Sequence, residues 1–304
     1  MTGSAALKAG VVGDPISHSQ SPTIHRAAYA ALGIEGASYE AIRVPEGELA
    51  SQWRRGAFEG FAGLSVTMPH KHAAAAFATR LSPRVELLGA ANTLVVEDGG
   101  VFAENTDVDG IVEALRAGRD AMASPARAGL PRPETGDALV VGGGGTALAA
   151  LAALAELGTS SVTLALRSPA KADDGAPSLR AAAEALGLRV DVVPLAGAAA
   201  VLAGGTGVAI STLPPRAADP FAEQWARAAA DHHTMLLDVA YDPWPSRLAQ
   251  VWPGRVIHGL DMLLHQAVRQ VELFTGLAAD ARVVASMAAA LGLPASHEAD
   301  RSRA

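Results

Sequence analysis

Residues 138–155 read ALVVGGGGTALAALAALA, a stretch without a single charge. Ala138 to Val141 fits a buried strand, Gly142 to Gly145 a turn, and Thr146 to Leu157 a helix that is apolar on nearly every side. The length would also suit a membrane-spanning helix, but four consecutive glycines argue against one. A strand, a glycine turn and a helix form a ready phosphate site. Glycines let the backbone approach a pyrophosphate, and the N–H groups and dipole at the helix start attract the anion. The spacing is Gly-x-Gly-Gly-Thr rather than G-x-G-x-x-G, so the turn alone also fits an ordinary α/β domain.

Working outward toward the C-terminus, the pattern repeats. Strand-like segments at 162–166, 189–193, 208–212, 235–239 and 255–258 alternate with helical ones, which implies a parallel, doubly wound sheet. The end of the strand after the glycine turn decides between cofactors. An acidic residue there would hold a ribose 2′-hydroxyl, whereas arginine accommodates a 2′-phosphate. The chain has Leu166-Arg167-Ser168-Pro169-Ala170-Lys171, two cations and a hydroxyl without a carboxylate, which favours NADP(H) over NAD(H).

Toward the N-terminus the segments also alternate. Strands are expected at 8–13, 38–44 and 62–67, with a hairpin over 94–102 turning at Glu97-Asp98-Gly99-Gly100. Ser21-Pro22 reads as an N-cap before proline at the first helical position, with the helix running to about Leu32. Pro45 is expected to open another helix, Met68-Pro69 to start one through Arg80, and Asp107 to start one ending at Ala117. Residues 118–137, rich in Ala, Pro, Gly and Arg, read as a linker or exposed loop. A helix from Asp261 to about Phe274, an alanine-rich helix and a charged tail close the chain.

The chain has 304 residues, enough for two domains, a net charge of −7 and no cysteine. No clustered basic charge suggests nucleic acid. The lack of thiols excludes disulfides and thiolate metal sites and fits a reducing compartment. The first ten residues do not resemble a secretory signal, so a cytoplasmic location is expected, with no membrane partner. His70 and His72 point to nearly opposite sides of a helix and His232 and His233 are adjacent, so no metal site is expected. Trp244, between Pro243 and Pro245, reads as a packing anchor. The only lysines are Lys8, Lys71 and Lys171, and the only asparagines are Asn92 and Asn105, each followed by threonine.

Four segments in the first part hold polar groups in apolar frames: residues 13–22 (GDPISHSQSP), 65–71 (SVTMPHK), 90–94 (AANTL) and 105–107 (NTD). Hydroxyls, amides, one ammonium and one carboxylate suit a small polyhydroxylated acid.

In these motifs, together with Gly-x-Gly-Gly-Thr and the late Gly-Leu-x-Met-Leu-x-x-Gln, the sequence resembles the shikimate dehydrogenase family from Val11 to about Gly276. The resemblance implies NADPH-dependent reduction of 3-dehydroshikimate to shikimate. It implies a discontinuous substrate domain, 1–106 with 260–304, and a Rossmann-like cofactor domain, 107–259, the C-terminal helices returning to the first. Ser19 and Ser21 would hold the substrate carboxylate. Thr67, Asn92, Asp107 and Gln266 would bind ring hydroxyls, and Tyr241 would lie near the carboxylate. Lys71, paired with Asp107, would be catalytic: a lysine ammonium can donate the proton that the new alkoxide needs. Gly142, Gly144, Gly145, Thr146, Arg167, Ser168 and Lys171 match cofactor positions, and Val239 and Gly259 match places that touch the nicotinamide end. Two departures stand out: Ser65 where the family often has asparagine, and Leu166-Arg167-Ser168 where it often has Asn-Arg-Thr. The alternative within the same resemblance is a quinate/shikimate or aminoshikimate dehydrogenase with NAD or relaxed cofactor use. Methylenetetrahydrofolate dehydrogenase shares the two-domain plan but would lack the His-Ser-x-Ser-Pro start. A non-catalytic sensor of the same ligands should have lost Lys71 and Asp107, and both are present. A homodimer is compatible with this reading.

Overall fold

The computed structural model describes residues 6–123, 137–175 and 177–294. By internal contacts the chain divides into two units, Met1–Thr106 with Leu263–Ala304, and Asp107–Met262.

The first unit contains β1 (Lys8–Gly13), α1 (Ser21–Leu32), β2 (Ser38–Arg43), α2 (Leu49–Arg54), β3 (Gly63–Val66), α3 (Lys71–Phe77), β4 (Arg80–Leu81), α4 (Pro83–Leu88), β5 (Thr93–Glu97) and β6 (Gly100–Glu104). Its sheet runs β2-β1-β3-β5-β6-β4. The pairs β1–β2, β1–β3 and β4–β6 are parallel; β3–β5 and β5–β6 are antiparallel. Strand β1 is buried on both faces, as a central parallel strand must be. Val11 enters one core with Ile24, Tyr29 and Tyr39, while Val12 enters another with Leu49, Leu64 and Leu94. That alternation is the period of two of an extended chain. The hairpin pairs Glu97 with Gly100 across Asp98-Gly99.

Three expectations need correction here. The N-cap of α1 is Gln20, not Ser21, and no side chain caps it; the Ser19 hydroxyl instead accepts the Ser21 N–H at 3.3 Å. Pro45 opens a turn closed by Glu48 N–H on its carbonyl, and α2 starts only at Leu49. Helix α3 starts at Lys71 and stops at Phe77, because Ala78 turns extended and Arg80–Leu81 pairs with β6. Ser82 then caps α4 by accepting the Val85 N–H, a helix that the sequence expectations do not include.

The second unit contains α5 (Asp107–Ala123), β7 (Asp137–Val141), α6 (Gly145–Glu156), β8 (Ser161–Leu166), α7 (Leu179–Ala185), β9 (Arg189–Pro194), α8 (Ala198–Ala203), β10 (Val208–Ser211), α9 (Ala222–Ala229), β11 (Met235–Asp238), α10 (Arg247–Val251) and β12 (Val256–His258). All five strand pairs are parallel in the order β12-β11-β10-β7-β8-β9, the doubly wound arrangement. Helix α6 buries Ala147 to Leu154 without interruption, which explains why its sequence lacks a polar face. Helix α5 continues past Ala117 to Ala123, so the first part of the expected linker is helical; residues 124–136 lie outside the described residues, as does the tail from 295.

Helix α11 (Gly259–Thr275) begins at the end of the second unit and belongs to the first from Leu263 on. With α12 (Ala281–Ala290) it brings Leu264, Val268, Val271 and Met287 into the β1–α1 core.

Candidate functional site

In the first unit the expected substrate residues gather where β1 and β3 end and β5 begins. Antiparallel pairing sets Ser65 opposite Thr93, so Asn92 stands beside the carboxyl end of β3. Two loops are clamped there: Asp14 N–H donates to the Met68 carbonyl at 3.0 Å, and Thr67 N–H to Val12 at 3.0 Å. Buried His70 fastens the second loop through Nε2 and the Val44 carbonyl at 2.7 Å. The Lys71 carbonyl accepts the Ala91 N–H at 2.9 Å, tying the start of α3 to the Ala90-Ala91-Asn92 segment. Ser19 and Lys71 are half-buried, Ser21 is buried, and His18 is exposed.

Asn92 is 3 % exposed and hydrogen-bonded at both ends of its amide. Its Oδ1 accepts from Thr106 N–H at 2.7 Å and from the Thr93 hydroxyl at 2.8 Å. Its Nδ2 donates to Thr106 Oγ1 at 3.0 Å and to Gln266 Oε1 at 3.3 Å. Gln266, from the far end of the chain, donates through Nε2 to the Leu263 carbonyl at 2.9 Å. Asp107, the residue after Thr106, is buried and opens α5.

Sequence reading missed the neighbours behind these groups. Gln270, one turn beyond Gln266, is 1 % exposed. Its Oε1 accepts from Ser65 Oγ at 2.7 Å and from His25 Nε2 at 3.2 Å; its Nε2 donates to Thr93 Oγ1 at 2.9 Å and the Asn92 carbonyl at 3.3 Å. Tyr39 donates to Ser65 Oγ at 2.6 Å, so the short side chain at 65 is a bridge rather than a gap. His25 stacks on Tyr39 at 4.1 Å, and burial pushes its pKa down to about 3. The i, i+4 spacing of the two glutamines put both on one helix face and was the available signal.

In the second unit the parallel sheet places Val141 beside Ala165, so the glycine turn and Arg167 leave the same edge. Gly142 has φ +109°, and a Cβ there would sit 2.4 Å from Thr212 Oγ1, so only glycine fits. Gly143 and Gly144 are exposed, Gly144 with open space around it, and no side chain caps α6. Arg167, Ser168 and Lys171 are exposed around a 3₁₀ turn over Pro169–Asp173. Asp173 pairs with Arg180 at 2.9 Å. A backbone cradle at a helix start with adjacent cations fits a dinucleotide carrying a 2′-phosphate.

Gly259 lies directly on the end of β11: a Cβ there would be 2.4 Å from the Val239 carbonyl oxygen. The following loop carries half-buried Tyr241. It is held by Asp238, which accepts from Ser246 Oγ at 2.5 Å and from Ala240 N–H at 3.4 Å, while burial raises the Asp238 pKa. Trp244 packs on the His258 ring at 3.7 Å.

Among the described residues no three His, Cys, Asp or Glu side chains cluster as metal ligands, and His72 is bonded to the Gly89 carbonyl at 2.8 Å. No helix among them is long and apolar enough to cross a membrane.

Comparison with known proteins adds to this geometry. The family model described as "Shikimate dehydrogenase substrate binding domain" matches residues 11–94, and "Shikimate 5'-dehydrogenase C-terminal domain" matches 259–291. A shikimate dehydrogenase (NADP(+)) from Methylobacterium radiotolerans is 39 % identical over 280 residues, covering 90 % of this chain and 92 % of the relative. The crystal structure of the Mycobacterium tuberculosis shikimate dehydrogenase is 41 % identical with a TM-score of 0.78, covering 94 % of this chain and 98 % of that one. The Thermus thermophilus shikimate 5-dehydrogenase, solved with NADP(H) and shikimate, is 32 % identical with a TM-score of 0.73, over 93 % and 99 %. The chain therefore belongs to the shikimate dehydrogenase family.

Proposed function

We propose that this protein is an NADP(H)-dependent shikimate dehydrogenase, reversibly reducing 3-dehydroshikimate to shikimate in the route to aromatic amino acids. The observation that carries this reading is the meeting of Asn92 with Gln266 beside Thr106 in the first unit. Two amides from distant parts of a family member's chain are held there with fixed donors and acceptors, as recognition of a polyhydroxylated ring requires. In this reading residues 1–106 and 260–304 bind substrate and 107–259 bind the cofactor. Ser19 and Ser21 take the carboxylate, with Tyr241 near it. Thr67, Asn92, Asp107 and Gln266 take ring hydroxyls. Gly142, Gly144, Gly145, Thr146, Arg167, Ser168, Lys171, Val239 and Gly259 hold the dinucleotide.

Bound NADPH supplies the hydride. The protein orients the substrate carbonyl and provides charge and a proton for the oxygen that becomes an alkoxide. Lys71 is assigned as proton donor in reduction, and Asp107 as the carboxylate that favours its ammonium form. In the oxidative direction Lys71 receives that proton. A cytoplasmic location, and a homodimer testable by sedimentation, belong to the same reading.

The test is spectrophotometric: oxidation of shikimate, and of quinate in parallel, with NADP⁺ and NAD⁺ side by side. Rapid reduction of NADP⁺ with shikimate is expected. No consumption of shikimate with either cofactor overturns the reading, and faster turnover of quinate with NAD⁺ reassigns the substrate and cofactor.

A further inference from the structure

Gln270 uses every hydrogen-bonding position of its amide. It accepts twice, from Ser65 and His25, and donates twice, to Thr93 and the Asn92 carbonyl. The direction of each bond follows from partners that have no choice. A main-chain carbonyl only accepts, so the Gln270 atom facing Asn92 O is the NH₂ group. The Thr106 N–H only donates, so the Asn92 atom facing it is Oδ1. Thr93 lies between the two amides. Its hydroxyl accepts a hydrogen bond from Gln270 Nε2 at 2.9 Å and donates one to Asn92 Oδ1 at 2.8 Å. On the other side, Tyr39 donates a hydrogen bond to Ser65 and Ser65 donates one to Gln270 Oε1. All these bonds run the same way, from Tyr39 through Ser65, and from Gln270 through Thr93, toward Asn92. Helix α11 thus grips the Asn92 segment twice, one turn apart, through Gln266 at the side chain and Gln270 at the main chain.

We propose that Gln270 is a positioning residue for shikimate: through Thr93 and the Asn92 carbonyl it holds the Asn92 amide in place and reinforces the donor–acceptor polarity that the Thr106 N–H sets, without touching the substrate itself. The consequence for substrate rests on the function proposed above; the effect on Asn92 does not.

The experiment exploits a chain with only two asparagines, Asn92 and Asn105. Protein labelled with ¹⁵N-asparagine shows just two side-chain NH₂ pairs. Gln270→Met keeps the length and removes both donors; Thr93→Val keeps the shape and removes the relay; Gln270→Glu places an acceptor where the donor stood and reverses the Thr93 hydroxyl. Each substitution is expected to shift the Asn92 NH₂ signals while those of Asn105, bonded separately to the Ala90 carbonyl, stay in place. In initial rates the KM for shikimate rises about fivefold or more, the loss of roughly one hydrogen bond, and the KM for NADP⁺ is unchanged. The inference is overturned if a folded variant leaves the Asn92 signals where they are, or if both KM values rise together. Should the wild-type enzyme fail to oxidise shikimate, the functional reading falls, while the NMR comparison still decides the role of Gln270.

Discussion

Around Asn92, the mixed sheet builds its site from side chains: Ser65, Asn92, Gln266 and Gln270 are each no more than 6 % exposed and each is hydrogen-bonded. At the glycine turn of the parallel sheet the reverse holds. Gly143, Gly144, Arg167 and Lys171 face solvent, and the restrictive feature is a backbone angle at Gly142. Buried polar groups need complete partners, so the first site is specified by donor–acceptor direction. The phosphate cradle proposed for the turn needs N–H groups and room, so the second is specified by the absence of side chains. Substitutions should therefore separate the two: polarity changes should act on substrate in the first unit, and added carbon atoms should act on the cofactor in the second.

The largest effect expected is at Lys71. Lys71→Ala should lower kcat for shikimate oxidation by about 10²–10⁴-fold, and a variant retaining more than a fifth of wild-type kcat removes Lys71 from the chemistry. Next comes the backbone of the turn. Gly142→Ala should cost roughly 1–3 kcal/mol in urea unfolding, since the new Cβ meets Thr212 Oγ1 at φ +109°. Gly144→Ala, in open space, should leave stability within about 0.5 kcal/mol of wild type and raise only the KM for NADP⁺. Equal destabilisation by both would erase the distinction drawn between them.

A smaller effect concerns pH and belongs to the first unit alone. Burial holds the His25 pKa near 3, below the usual 6.5. Its contribution to stability is therefore complete above pH 6.5 and is lost as pH falls toward 3. Between pH 6.5 and pH 5 that loss should reach about 2 kcal/mol, seen as a drop in the urea midpoint that His25→Gln largely abolishes. The smallest effect is at the exposed cation: Arg167→Ala should raise the KM for NADP⁺ about tenfold and hardly change that for NAD⁺.

The same contrast explains what could be read from the sequence. The parallel sheet was legible because its strands are near-continuous apolar runs and its glycine turn sits at a fixed place between strand and helix. The polar cluster of Asn92, Thr106 and Gln266 was legible as well, because each falls in a short recognisable segment. Boundaries failed where local signals compete. Ser21-Pro22 resembles a cap, yet the hydroxyl that bonds at the start of α1 is that of Ser19. The alanine run after Lys71 reads as one helix, yet β6 recruits Arg80–Leu81 into the sheet. Gln270, His25 and Tyr39 stayed hidden because their partners are far away in sequence: 205 residues separate Ser65 from Gln270. Only the four-residue step from Gln266 pointed to Gln270, and no step in sequence pointed to the stacking of His25 on Tyr39.

The division of labour between the two units is tested most directly by one crossed measurement, the KM for shikimate and for NADP⁺ in Asn92→Leu and Arg167→Ala. The expected result is a raised shikimate KM with an unchanged NADP⁺ KM in the first variant, and the opposite in the second. If each variant raises both constants alike, or if Asn92→Leu leaves the shikimate KM at the wild-type value, the assignment of substrate to the buried amides and cofactor to the glycine turn is wrong.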